Sequence, residues 1–127
     1  MVIDDCYNAN PMSMRAALDD LAITPASRRV AVLGDMLELG PSAPRFHAEI
    51  GAHAKAVGVD VLVAVGPLAA AIGDGFAGET HRAADAREAA ELAAELVRPG
   101  DVVLVKASRG VGLELVCAEL GQARNVV

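Results

Sequence analysis

Short apolar runs alternate with helical stripes along the whole chain, and this alternation constrains the fold more than any other feature. Val2-Ile3 is the stub of the first run, Val30-Ala31-Val32-Leu33 the second, Val61 to Val65 the third and Val102 to Val105 the last. Thr80-His81-Arg82-Ala83 is a weaker run, fourth in chain order. Between the runs the period changes. Met14, Ala17, Leu18, Leu21 and Ala22 line one helical face, as do Phe46, Ile50, Ala54 and Val57. Ala89, Leu92, Ala93 and Leu96 form another stripe, and Leu113, Val116, Cys117 and Leu120 a further one. Leu68 to Phe76 reads as a shorter helix. Asn10-Pro11 is a helix-start signal, Asp85 caps the helix running to about Val97, and Pro99-Gly100 stops it. Strand–helix–strand units at this spacing close as right-handed crossovers onto a mostly parallel sheet with both faces covered. The expected fold is a single three-layer αβα, Rossmann-like domain. Apolar residues make up 54% of the 127 and aromatics 2%, so its core must be aliphatic.

Composition also removes several functions. The net charge is -6 and the longest basic cluster is Arg28-Arg29, so nucleic acid is excluded as a partner. No apolar run is long enough to span a bilayer. No charged-then-apolar leader opens the chain, so no export signal is expected. Cys6 and Cys117 form no CxxC and read as two reduced thiols. No HExxH or paired Cys/His set offers a zinc site, and no GxxxxGK[ST] cradles a triphosphate. Met1 leads at once into strand residues, as expected of a domain cut from a longer protein.

The exits of parallel strands lie on one edge of the sheet, where open α/β folds bind ligands. Chemistry-bearing residues gather at those exits. Asp4-Asp5-Cys6-Tyr7-Asn8-Ala9-Asn10-Pro11 holds two carboxylates, a phenol and two amides, more than a turn needs. Asp4 and Asp5, just past a strand, suit a metal or ribose hydroxyls, or one of them caps a turn. Asn10 suits a ligand edge, a helix cap or both. Gly34-Asp35-Met36-Leu37-Glu38-Leu39-Gly40 carries acids at Asp35 and Glu38 beside apolar Met36, Leu37 and Leu39, the composition of a loop that packs or closes on a partner. His47 follows it and reads as structural. Lys106-Ala107-Ser108-Arg109-Gly110 sets two cations and a hydroxyl at an expected helix N-terminus, which attracts a carboxylate or phosphate. Gly110-Val111-Gly112 lacks the third small residue of a dinucleotide fingerprint and reads as close packing or a tight helix entry. A phosphate-receiver domain is excluded because the third strand exits as Ala64-Val65-Gly66-Pro67, with no Asp.

Three of these segments, in order, resemble one family: Asp4 to Pro11 with Ser13-Met14, Gly34 to Gly40 with His47, and Leu104-Val105-Lys106-Ala107-Ser108-Arg109-Gly110. They are similar to the C-terminal domain of the Mur ligases, in the branch that adds D-alanyl-D-alanine to UDP-N-acetylmuramoyl-tripeptide. The likeness covers nearly the whole chain, so residues 1–127 are expected to be the third domain of a three-domain enzyme. The resemblance implies a cytoplasmic step of peptidoglycan synthesis. ATP phosphorylates the tripeptide carboxylate, the amine of D-alanyl-D-alanine attacks the acyl phosphate, and Mg²⁺ assists. It implies that an N-terminal domain binds the UDP-sugar substrate and that a central domain carries the P-loop and most of the Mg²⁺ contact. The present domain would pack on the central one, help hold ATP and present the dipeptide. By likeness Asp5 falls on the acid that contacts the ATP ribose, with Tyr7, Asn8 and Asn10 in the same nucleotide-facing loop. Ser108 falls where related ligases contact the incoming amino acid. Lys106 and Arg109 are the physical choice for the dipeptide carboxylate. Asp35, Met36 and Glu38 lie in a loop near the site. No residue is expected to be catalytic or to bind metal, and the domain alone is expected to be inactive. A sibling ligase adding another amino acid, or a non-catalytic small-ligand module, are the alternatives; the Tyr-Asn-Ala-Asn loop argues against the sibling.

Overall fold

The computed structural model describes residues 1–124. The strands are β1 (Val2–Asp5), β2 (Arg28–Gly34), β3 (Val61–Val65), β4 (Glu79–Ala83) and β5 (Asp101–Lys106). The helices are α1 (Pro11–Ile23), α2 (Ala43–Ala56), α3 (Ala70–Phe76), α4 (Ala86–Leu96) and α5 (Glu114–Arg124). Every expected strand and helix is present. The five strands form one sheet in the order β1-β5-β2-β3-β4, and every pair is parallel. The last strand thus inserts between the first two. Val103 of β5 lies beside Val2 on one side and Val30 on the other.

This order sorts the helices. Chain progress from β1 through β4 moves one way across the sheet, so right-handed crossovers put α1, α2 and α3 on one face. The return from β4 to β5 reverses direction and puts α4, with α5 after it, on the other. Two cores follow. Ala31, Leu33, Leu62, Ala64, Val102 and Leu104 pack with Met14, Leu18, Ile50 and Phe76 of the first layer. Val30, Val32, Val61, Val63, Val103 and Val105 pack with Ala89, Ala93, Val116 and Leu120 of the second. Alternate residues of each strand thus serve opposite cores, as the two-residue period requires. The small Ala side chains of α4 let that helix lie close on the valine face.

Local signals fix the helix starts. The Asn10 side chain accepts from the Ser13 amide at 2.9 Å and the Ser13 hydroxyl accepts from the Asn10 amide at 3.0 Å, a reciprocal cap with Pro11 in the first turn. Asp85 caps α4 through the Glu88 amide at 2.9 Å. The helices α2 and α3 cross at glycines: a Cβ on Gly51 would overlap the Ile72 carbonyl, and one on Gly75 the Ala48 carbonyl. One expectation fails. The α-helix after β5 starts at Glu114, and Arg109–Val111 is only a single 3₁₀ turn that ends at Gly112 with φ of +76°. Gly112 is the tight entry, and no long helix dipole points at Lys106, Ser108 or Arg109. Among the described residues no helix is long and apolar enough to cross a membrane.

Candidate active site at the strand exits

Because all the strands run parallel, Asp5, Gly34, Val65, Ala83 and Lys106 end on one edge of the sheet. The loops that follow them are joined by side chains reaching backbone groups. Asp35 is buried, and its Oδ1 accepts from the Ala69 amide at 2.7 Å just before α3. The Asp35 carbonyl accepts from the Ser108 amide at 3.1 Å, and the Ser108 hydroxyl accepts from the Leu37 amide at 2.8 Å. His47 is fully buried, its Nδ1 2.6 Å from the Ala43 carbonyl and its Nε2 2.9 Å from the Met36 amide. A carbonyl only accepts and an amide only donates, so the ring is the neutral tautomer protonated at Nδ1. The structural reading of His47 therefore holds: it pins the loop after β2 to α2. Met36 drops into the core, whereas Leu37 and Glu38 face solvent, Glu38 with φ of +64°.

The loop after β1 carries the polar surface. Strand alternation sends the two acids to opposite faces. Asp5 turns toward the α1 side, where its Oδ2 accepts from the Lys106 ammonium at 2.8 Å. The same ammonium donates to the Asn8 carbonyl at 2.8 Å. Lys106 is almost wholly buried, while the Asp5 side chain stays 43% exposed. Asn8 Oδ1 accepts from the Ala9 amide at 2.9 Å, closing the turn, and Asn10 is the helix cap. The Tyr7 ring is exposed, and the Arg109 guanidinium lies over it, 5.2 Å from its centroid.

Two clefts flank this loop. One, of about 420 Å³, is lined by Asp4, Asp5, Cys6, Tyr7, Arg109 and Glu114. The other, of about 380 Å³, has Asp5, Tyr7, Asn8, Ser13, Asp20 and Lys106 among its walls. Asp5, Tyr7 and Arg109 therefore share a cleft, as the rim expectation required. Lys106 and Arg109, which the sequence reading set on one anion, line different clefts. In β5 Lys106 follows Val102 and Leu104 on the α1 face, so its ammonium reaches under the β1 loop; Arg109 lies beyond the strand in the other cleft. Ser108 is buried and occupied by the Leu37 amide. Gly66, at the Gly-Pro exit of the third strand, has a φ of +104°, and its missing Cβ makes room for the Asp35 carboxylate. Sequence reasoning passed over Glu114, which walls the Arg109 cleft.

The arrangement suits a polyhydroxyl or nucleotide ligand. Asp5 presents a half-open carboxylate, Tyr7 an exposed ring, and Arg109 a cation beside both. Among the described residues no cluster of oxygen ligands awaits a hard cation such as Mg²⁺; the only close group of three metal-ligating side chains is Asp4 with Cys6 and Cys117. The two thiols are free, and although they are far apart in sequence their sulfurs lie 4.0 Å apart.

The family model for the Mur ligase, glutamate ligase domain, matches residues 1–109. UDP-N-acetylmuramoyl-tripeptide--D-alanyl-D-alanine ligase of Synechocystis is 43% identical over 123 residues, covering 94% of this chain and 27% of that protein. The Bacillus subtilis ligase of the same name is 37% identical, with 94% and 27% covered. Among solved structures, MurF from Acinetobacter baumannii superposes with a TM-score of 0.85 at 35% identity, over 95% of this chain and 27% of that one. MurF from Thermotoga maritima, in complex with ADP, gives 0.79 at 31% identity, with 96% and 28% covered. The chain spans about a quarter of the length of the curated relatives it matches.

Proposed function

Since the chain belongs to the Mur ligase family, we propose that it is the C-terminal, ATP- and dipeptide-contacting domain of a cytoplasmic ligase that adds D-alanyl-D-alanine to UDP-N-acetylmuramoyl-tripeptide in peptidoglycan synthesis. The observation that carries this reading is the cleft where Asp5, Tyr7 and Arg109 meet at the strand exits. A related MurF structure was solved with ADP, which supports a nucleotide as one ligand of the whole enzyme.

In this reading Asp5 accepts hydrogen bonds from the ATP ribose, and Lys106 holds the Asp5 carboxylate and the Asn8 carbonyl in place while Asn10 sets the start of α1. Tyr7 offers a flat face to the nucleotide. Arg109 pairs with the dipeptide carboxylate, and Ser108 keeps the loop carrying Asp35, Met36 and Glu38 against that side of the cleft. The domain supplies position and charge rather than a nucleophile. Mg²⁺ and the triphosphate belong to the central domain against which this one packs, so the isolated chain has no ligase activity of its own. When bound, Mg²⁺ would neutralise phosphate charge, and nothing in the described residues of this domain is built to hold it.

The test is Arg109→Ala in the intact ligase. Loss of a charge-assisted pair costs about 1.5–3 kcal/mol, which raises the KM for D-alanyl-D-alanine or lowers kcat by roughly tenfold or more. The KM for ATP moves far less. An unchanged response to dipeptide removes Arg109 from the dipeptide site.

A further inference from the structure

On the other side of β1 from Lys106 lies a cluster that the ligase reading does not use. Alternation turns Asp4 and Cys6 toward α5, and the first turn of α5 presents Cys117 to them. The two sulfurs are 4.0 Å apart, and the Asp4 carboxylate and both sulfurs lie within 4.8 Å of one another. We propose that Asp4, Cys6 and Cys117 form a binding site for a thiophilic divalent cation of the zinc class, with a fourth position open to water.

Geometry supports this. Zinc–sulfur bonds of about 2.3 Å at a tetrahedral angle hold two sulfurs about 3.8 Å apart, close to the spacing found. The carboxylate must close in by roughly an ångström, which an exposed Asp side chain does by rotating about its χ bonds. Asp4 and Cys6 also wall the 420 Å³ cleft, so an ion there has a route in and room for a water ligand. Cys117 sits on α5, and Cys6 directly follows β1 and is buried, which limits the movement of both sulfurs. Two sulfurs and one carboxylate select zinc over Mg²⁺, which prefers an all-oxygen octahedron.

The ligands must shed their protons to bind. Binding would replace two S–H protons, released to solvent, with two metal–sulfur bonds; no electrons move. A disulfide is a different outcome. It requires the sulfurs to close from 4.0 Å to about 2.05 Å and an oxidant to take two electrons.

The experiment uses the 127-residue chain, reduced until both of its thiols titrate, then given Co²⁺ anaerobically followed by Zn²⁺. The expected result is a thiolate-to-cobalt charge-transfer band that saturates at one equivalent and is erased by Zn²⁺. Cys6→Ser and Cys117→Ser each abolish the band. Asp4→Asn, an exposed change that spares the fold, weakens Co²⁺ binding by roughly tenfold or more. Absence of a band in the fully reduced protein overturns the proposal. So does a band that survives Cys117→Ser, or one that Asp4→Asn leaves unaltered.

Discussion

Removing the carboxylate of Asp35 tests whether the strand-exit loops are held together as the structure shows. Its Oδ1 takes the Ala69 amide at 2.7 Å, and Ala69 is fully buried. Asp35→Ala leaves that N–H without a partner or water. A stranded buried donor costs about 1–3 kcal/mol, and the bond lost here is short and charge-assisted, so about 2–3 kcal/mol is expected. Unfolding entropy of about 2.1 cal/mol/K per residue over 127 residues is about 0.27 kcal/mol/K. The melting temperature should therefore fall by about 7–11 °C in a circular-dichroism melt. Asp35→Asn keeps an acceptor oxygen in the same place and should lose about a third as much. A fall below about 3 °C for the Ala variant, or equal losses for both variants, refutes the reasoning.

Gly51→Ala sets two effects against each other. Helix propensity favours Ala by about 1 kcal/mol, but the new Cβ meets the Ile72 backbone, which cannot rotate away, and overpacking costs about 1–3 kcal/mol. Urea unfolding should show net destabilisation; a stabilised variant contradicts the close α2–α3 crossing. At the opposite edge of the sheet, burial alone would raise the carboxyl of Asp101, but hydrogen bonds from Arg28 and the Arg98 amide, with the Arg28 charge, hold it below its ordinary value. A depressed folded value stabilises above the unfolded pKa of about 4, and that gain is lost as pH falls through the folded value. The stability gap between wild type and Asp101→Asn should shrink from pH 7 toward pH 3; a gap that stays constant refutes the assignment.

Strands and helices were legible because their periods are local. Val and Leu alternate within the runs, Asn10 and Asp85 announce their helices, and the Mur ligase motifs stand in order. What eluded sequence reading depends on β5 lying between β1 and β2. That insertion brings Lys106 beside Asp5 and Cys117 near Cys6, pairs separated by 101 and 111 positions. Nothing local in Lys106-Ala107-Ser108-Arg109 tells which face each cation takes, since that follows from the parity of the strand before it. The helix expected at Ser108 was misplaced because Ser and Gly serve equally well at the single 3₁₀ turn that precedes α5. His47 read correctly as structural, but its partner Met36 lies across a loop whose path no period describes.

The central claim is that the exit of β1 faces the nucleotide. Its most direct test is the KM for ATP of the intact ligase carrying Asp5→Asn, a change that keeps an acceptor for Lys106 but gives up the charge. A charged-group hydrogen bond of about 1.5–3 kcal/mol predicts a rise of roughly tenfold or more, with the KM for D-alanyl-D-alanine nearly unchanged. An unchanged KM for ATP, with the dipeptide KM raised instead, would contradict the account.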